Sequence, residues 1–290
     1  MKKFLFCTIG LLFVISFLNS CKKDNNSGST SIIIDHNCTK LSQIPQNAIS
    51  NARTNLRIAY GRSWNSGAQL ISGMNGLVTF KGSLYDFNNQ GSAGALYFEI
   101  FRGGANDLGN PNDTAWEVLT RNYLTDTSTN NINVVMWSWG DEVSNLTSID
   151  INKYLTLMSN LEKDFPQVKF VYMTGHLDGT GLTDNLYMRN EQIREFCMNN
   201  GKILYDLADI ESYNPDGVYF GDKLANENCD YDSNNDGILD KNWAIDWQNA
   251  HTENVDWYNC NPPGTQSLNA NQQAYAAWWL WARLAGWNGK

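Results

Sequence analysis

A serine, two histidines with acidic neighbours and one oxygen-rich loop carry the chemistry this chain could perform. Ser63 stands in Gly61-Arg62-Ser63-Trp64-Asn65-Ser66-Gly67, a glycine-bounded turn between the strand-like run Leu56-Arg57-Ile58-Ala59-Tyr60 and a helical pattern from Ser66 to about Val78. A hydroxyl placed there stands clear of a sheet beside a helix N-terminus, whose N–H groups can hold a developing oxyanion. A serine nucleophile also needs a base, because its hydroxyl must shed a proton as it attacks. His176, in Thr174-Gly175-His176-Leu177-Asp178-Gly179, is one candidate, with Asp178 able to orient it. His251 is the other, close enough along the chain to share a loop with Asp256. The remaining histidine, His36, reads as a surface residue near the N-terminal polar stretch.

A separate signal lies in Asp230-Tyr231-Asp232-Ser233-Asn234-Asn235-Asp236-Gly237-Ile238-Leu239-Asp240. Alternating oxygen side chains followed by glycine and an apolar residue let a loop wrap a hard cation, as calcium requires. With Asp232 in the first position, Asn234, Asp236 and Gly237 fall into place, while Trp243 occupies the position of the bidentate glutamate. The pattern therefore predicts a short structural calcium loop with ligands from Asp230, Asp232, Asn234, Asp236 and Asp240, not a complete EF-hand.

The elements that must position these groups follow from the rest of the chain. Residues 1–20 carry Lys2 and Lys3, then an uncharged run from Phe4 to Leu18, then Leu18-Asn19-Ser20 before Cys21. That is the pattern of an export leader with a lipobox, which predicts lipidation of Cys21 and anchorage to the bacterial cell envelope, the outer membrane being the expected site. Residues 21–45, opening with a polar, turn-rich stretch, are expected to form a flexible tether, and residues 46–290 one folded domain. Net charge is -9, and loss of Lys2 and Lys3 with the leader makes it two units more negative, so nucleic acid is excluded as a partner class.

Apolar runs rich in β-branched residues recur at Ile132 to Trp137, Val168 to Met173 and Ile203 to Leu207, with another at Ala95 to Phe101. They suit strands buried on both faces of a parallel sheet. Between them, Asp150 to Phe165 and Asn185 to Asn199 place apolar residues at helical spacing, the first stopping at Pro166 and the second at Asn200-Gly201. The expected fold is α/β, a doubly wound, flavodoxin-like parallel sheet flanked by helices, with ligands at the carboxyl ends of the strands. A polar insert is expected over about 211–265, and a bridge between Cys229 and Cys260 would tie it down. Cys197 falls on the apolar side of its helix and is expected as a buried thiol. The last helix, Ala270 to Trp287, is crowded with tryptophan, which suits core packing; the rival use of those rings is a sugar-stacking platform.

Several blocks together resemble the SGNH (GDSL) hydrolases. Gly61-x-Ser63-x-x-x-Gly67 is similar to the first block of that family, with Arg62 where the family has aspartate. Gly103-Gly104-Ala105-Asn106-Asp107 matches, by its order in the chain, the glycine that follows the second strand. Asn190 to Arg194 and Ile203 to Leu207 resemble the helix and strand before the final block. The chain departs from the family in two places. Trp137-Ser138-Trp139-Gly140-Asp141-Glu142 has no asparagine for the oxyanion, and Asp256 is followed three positions later by Asn259, not histidine. Secreted lipoproteins of this kind carry a histidine just before the stretch Thr265-Gln266-Ser267-Leu268-Asn269, where this chain has Gly264. The resemblance implies an SGNH-like fold and an ester hydrolase acting on acylated carbohydrate or a related glycan. In it Ser63 attacks, Gly104 and backbone amides hold the oxyanion, and His176 with Asp178, or His251 with Asp256, takes the proton. The alternative it implies is a lipoprotein that keeps the cleft, has lost the chemistry and binds glycan.

Overall fold

The apolar runs become the inner strands of one parallel sheet. The computed structural model describes residues 30–62, 67–101, 114–126, 131–139 and 143–290. The chain enters through β1 (Ile32–Ile34) and α1 (Gln46–Asn55). It then runs β2 (Arg57–Gly61), α2 (Ala68–Lys81), β3 (Phe87–Asn88), β4 (Leu96–Phe101), α3 (Ala115–Thr125), β5 (Val134–Trp137), α4 (Ser148–Asp164), β6 (Lys169–Met173), α5 (Asn185–Asn199) and β7 (Ile203–Tyr205). It closes with α6 (Leu207–Glu211), the hairpin β8 (Asp230–Tyr231) and β9 (Lys241–Asn242), α7 (Trp243–Ala250) and α8 (Ser267–Leu284).

Strand order in the sheet is β1-β7-β6-β5-β2-β4-β3, every neighbour parallel. Its inner part, β4-β2-β5-β6-β7, has the 2-1-3-4-5 order of flavodoxin-like sheets, which puts the topological switch point between the paired strands β2 and β5. Helices α1, α2 and α8 pack together, as do α3, α4 and α5, giving the doubly wound α/β arrangement. The central strands β5 and β6 are apolar over their buried length because both faces are covered: Val134 to Trp137 and Phe170 to Met173 are all buried.

Local sequence sets the helix ends. Thr147 and Asp150 form a reciprocal capping box at the start of α4, whose buried face is Ile151, Tyr154, Leu155, Met158 and Leu161. Helix α8 is buried almost throughout, including Trp278, Trp279 and Trp281, with Trp281 edge-on to Phe98 and Trp278 edge-on to Tyr85. Those three indoles are core, and the sugar-platform reading of them does not hold.

The N-terminal boundary also needs correction. Ile32–Ile34 pairs with β7 as an edge strand, so the chain is already part of the sheet well before residue 46. Three consecutive isoleucines outweigh the polar context that assigned them to a tether. The insert over 211–265 has a small core of its own, made by Phe220, Ala225, Cys229, Tyr231, Trp243, Ala244 and Leu268. Among the described residues, no helix is long and apolar enough to cross a membrane.

Candidate functional site

The turn at the carboxyl end of β2 is bounded by two glycines that could not be replaced cheaply. A Cβ on Gly61 would sit 2.4 Å from the Trp137 indole, and one on Gly67 would sit 1.9 Å from the Tyr60 hydroxyl. Gly67 also has φ +68°, in the left-handed region. The turn is thus glycine-bounded because the tryptophan and tyrosine of this sheet press on both its ends. Ser63 lies outside the described residues, as do Gly104 and Cys21.

His176 follows β6 on a segment clamped from several directions. Thr174 Oγ1 donates to Asp206 Oδ1 at 3.1 Å, and Gly175 exchanges two hydrogen bonds with the buried Asn190 amide. Leu177 N–H donates to Glu211 Oε2 at 2.9 Å, while Leu177 O accepts from Glu227 N–H at 2.9 Å. Asp206 itself is gripped by Arg194, whose Nε and Nη2 donate to its two oxygens at 2.6 and 2.7 Å. The helix and strand segments Asn190 to Arg194 and Ile203 to Leu207 therefore act as the brace of this loop.

The carboxylate facing His176 is Glu227. His176 Nδ1 lies 3.0 Å from Leu177 O and 3.6 Å from Glu227 Oε2. Gln69 Nε2, in the first turn of α2, donates to the same Glu227 oxygen at 3.4 Å. A Cβ at Gly264 would lie 3.5 Å from Glu227 Oε1 and 3.8 Å from Gln69 Nε2. Beneath them Glu211 is 2 % exposed, accepting from Leu177 N–H and from the Asn269 and Gln273 amides at 3.4 and 3.2 Å. Burial pushes the Glu211 carboxyl up to about 7, opposed by the charge of His176 and the Leu177 N–H.

The other expected site residues lie elsewhere. Asp178 is held by Ser144 Oγ and by Thr180, whose N–H and Oγ1 donate to it at 3.0 and 2.5 Å. His251 stacks on Trp247 with ring centres 3.6 Å apart and places Nδ1 2.7 Å from Trp247 O. Asp256 accepts from Thr252 N–H at 2.9 Å and serves the turn, not the imidazole. His36, expected at the surface, is half-buried: Nδ1 lies 2.6 Å from Asp209 Oδ2, and its ring stacks on Tyr213.

The Cys229–Cys260 bridge is absent: Cys38, Cys197, Cys229 and Cys260 are all free thiols. Cys229 is buried in the insert core beside Thr265, whereas Cys260 points to Ser267 O and Asn271. The two sulfurs have separate environments, so closing a bridge would mean pulling one of them out of its packing. Cys197 is the buried thiol its helical position implies, and desolvation raises its pKa.

The 230–240 loop closes on its own hydrogen bonds. Asp232 accepts backbone N–H groups from Asn234, Asn235, Asp236 and Gly237, and Asp240 accepts from Ser233 N–H and Oγ. Burial alone would raise the Asp232 carboxyl, but those N–H groups, Gly237 first, hold it below the usual range. Asp230 accepts from the Asn228 and Asn242 amides. Among the described residues, the three acid or imidazole groups that converge at ligand distance are Asp35, His36 and Asp209, not the carboxylates of this loop. Calcium at this loop stays a proposal, and thermal melts with and without chelator test it: a drop in midpoint on chelation would support a bound ion, and an unchanged midpoint would argue against one.

Glu227, Glu211 and Gln69 are the members of this site that spacing alone does not reveal. Each comes from a different element, and no short motif joins any of them to His176. Comparison of the chain with known protein families, with curated proteins and with solved structures finds no match.

Proposed function

We propose that this chain is a lipid-anchored envelope ester hydrolase, with Ser63 as nucleophile and His176 as general base. The observation that supports it most is the shared carboxylate. Glu227 faces His176 Nδ1 and accepts from Gln69, on the helix that begins just after Ser63. An imidazole fixed through Nδ1 by a carbonyl and a carboxylate is set up to exchange a proton through Nε2.

In the proposed reaction Ser63 Oγ bonds to the acyl carbon of an ester, its proton passes to His176 Nε2, and the carbonyl electron pair moves onto oxygen. Gly104 and backbone amides near the α2 N-terminus hold that oxyanion. Glu227 and Leu177 O stabilise the imidazolium from the Nδ1 side. The ester C–O bond then breaks, and His176 returns the proton to the departing alcohol oxygen. Water repeats the sequence on the acyl-serine and releases the acid. Acylated carbohydrate is the proposed substrate class, and the lipid on Cys21 would hold the enzyme at the envelope surface.

A second reading, a glycan-binding lipoprotein without chemistry, is favoured by one specific feature: Gly264 beside Glu227, where resembling proteins have histidine. Hydrolysis of p-nitrophenyl acetate by wild type and Ser63→Ala separates the two. The enzyme reading expects hydrolysis by wild type and only the buffer rate with the variant; equal rates would remove Ser63 from the mechanism and leave binding.

A further inference from the structure

A cavity of about 300 Å³ opens at the carboxyl ends of β1, β6 and β7, sharing Leu177 and Asp178 with the His176 segment. Its wall carries the carboxylates of Asp35, Asp178, Glu191, Asp206 and Asp209 against one guanidinium, Arg194. That guanidinium is committed: Nε and Nη2 donate to Asp206, and Nη1 donates to Glu191 at 2.6 Å. His36 lies behind Asp209, and counting it as a cation still leaves the wall with an excess of negative charge. An anionic ligand would meet no uncommitted cation among the described residues of this lining.

The same wall is aromatic. Tyr187, Tyr213 and Tyr219 line it, Tyr213 being stacked on His36 at 3.6 Å between ring centres and 4.9 Å from Tyr219. None of the three hydroxyls has a hydrogen-bond partner among the described residues. Ring faces and carboxylates together attract an ammonium group, and tyrosine faces also take the flat side of a ring. The volume lies at the lower end for small-molecule sites, sized for a single ring unit and not for a polymer.

We propose that this cavity binds a ring-borne protonated amine, an amino sugar unit being the class whose ammonium, ring face and hydroxyls all find partners there. The ammonium sits against the Asp206–Asp209 side, the ring lies on the tyrosines, and ring hydroxyls bond to Ser212 and the tyrosine hydroxyls. The assignment stands whether or not the chain hydrolyses esters.

The test is a calorimetric titration of the full chain, in chelator and below the amine's own pKa, with glucosamine, glucose and glucuronate. These share one ring frame and differ in charge. Saturable binding of glucosamine is expected, at least tenfold weaker binding of glucose, and none of glucuronate. Asp209→Asn and, independently, Tyr219→Ala should each weaken glucosamine at least fivefold, the second variant covering the case in which the first disturbs His36. No saturable glucosamine binding, glucose binding as tightly, or indifference to both substitutions would overturn the proposal.

Discussion

Replacing His176 by alanine is expected to cut ester hydrolysis by at least about 10³-fold, the scale on which serine hydrolases lose rate without their base. Glu227→Gln should cost about 10²-fold, since it keeps the shape but removes the charge that stabilises the imidazolium. Both losses should fall on kcat, with KM nearly unchanged, because neither group is needed to hold the ground-state ester. His251→Ala is the discriminating control. Its ring is stacked on Trp247 and bonded to the Trp247 carbonyl, so a loss under tenfold is expected there. Steady-state kinetics on p-nitrophenyl acetate with matched thermal melts read all three. If His251→Ala were the variant that lost activity, the base would have been assigned to the wrong loop.

The positions of the strands were legible because burial on both faces leaves a plain mark: Ile132 to Trp137 and Val168 to Met173 have little polar interruption, and both became strands. Asn185 to Asn199 was legible to the residue, since Asp184 caps it and Asn200-Gly201 ends it. Ile32–Ile34 was not, because an edge strand of three residues leaves no periodicity to read. The site was legible only in part. His176 could be placed at a strand's carboxyl end, but its carboxylate partner comes from the insert, where Ala225-Asn226-Glu227-Asn228 looks like any polar loop. Sequence proximity favoured Asp178 instead; the turn at Thr180 and the Ser144 hydroxyl take that side chain. Cys229 and Cys260 looked like a pair because they flank a polar stretch that a bridge would tie down. Spacing reports which groups could meet, and packing decides which do.

The buried Glu211 carboxyl is expected to make stability depend on pH in the sense opposite to that of an ordinary ion-paired acid. Burial lifts it from an ordinary 4.5 to about 7. The groups that face it are His176 and the Leu177 N–H, the Asn269 and Gln273 amides, and the Glu227 carboxylate, with the Cys229 thiol and Tyr205 hydroxyl beyond them. Below about 4.5 the carboxyl is protonated in both folded and unfolded chains, and its contribution is fully present. Between 4.5 and 7 the unfolded chain releases that proton while the native chain keeps it, so stability falls as pH rises. Above 7 the loss is complete and amounts to about 3 kcal/mol for a shift of this size. Urea unfolding across this range, for wild type and Glu211→Gln, isolates the effect, since other titrating groups cancel in the difference. The wild type should lose about 3 kcal/mol relative to the variant on going from pH 4.5 to above 7. Parallel curves would mean that Glu211 titrates normally. Because Glu211 holds the Leu177 N–H next to His176, the proton it keeps at low pH lies directly beneath the proposed base. The same titration should therefore alter the geometry of the His176 segment, and Glu211→Gln should flatten the pH profile of kcat near 7 while keeping its acid side as in wild type.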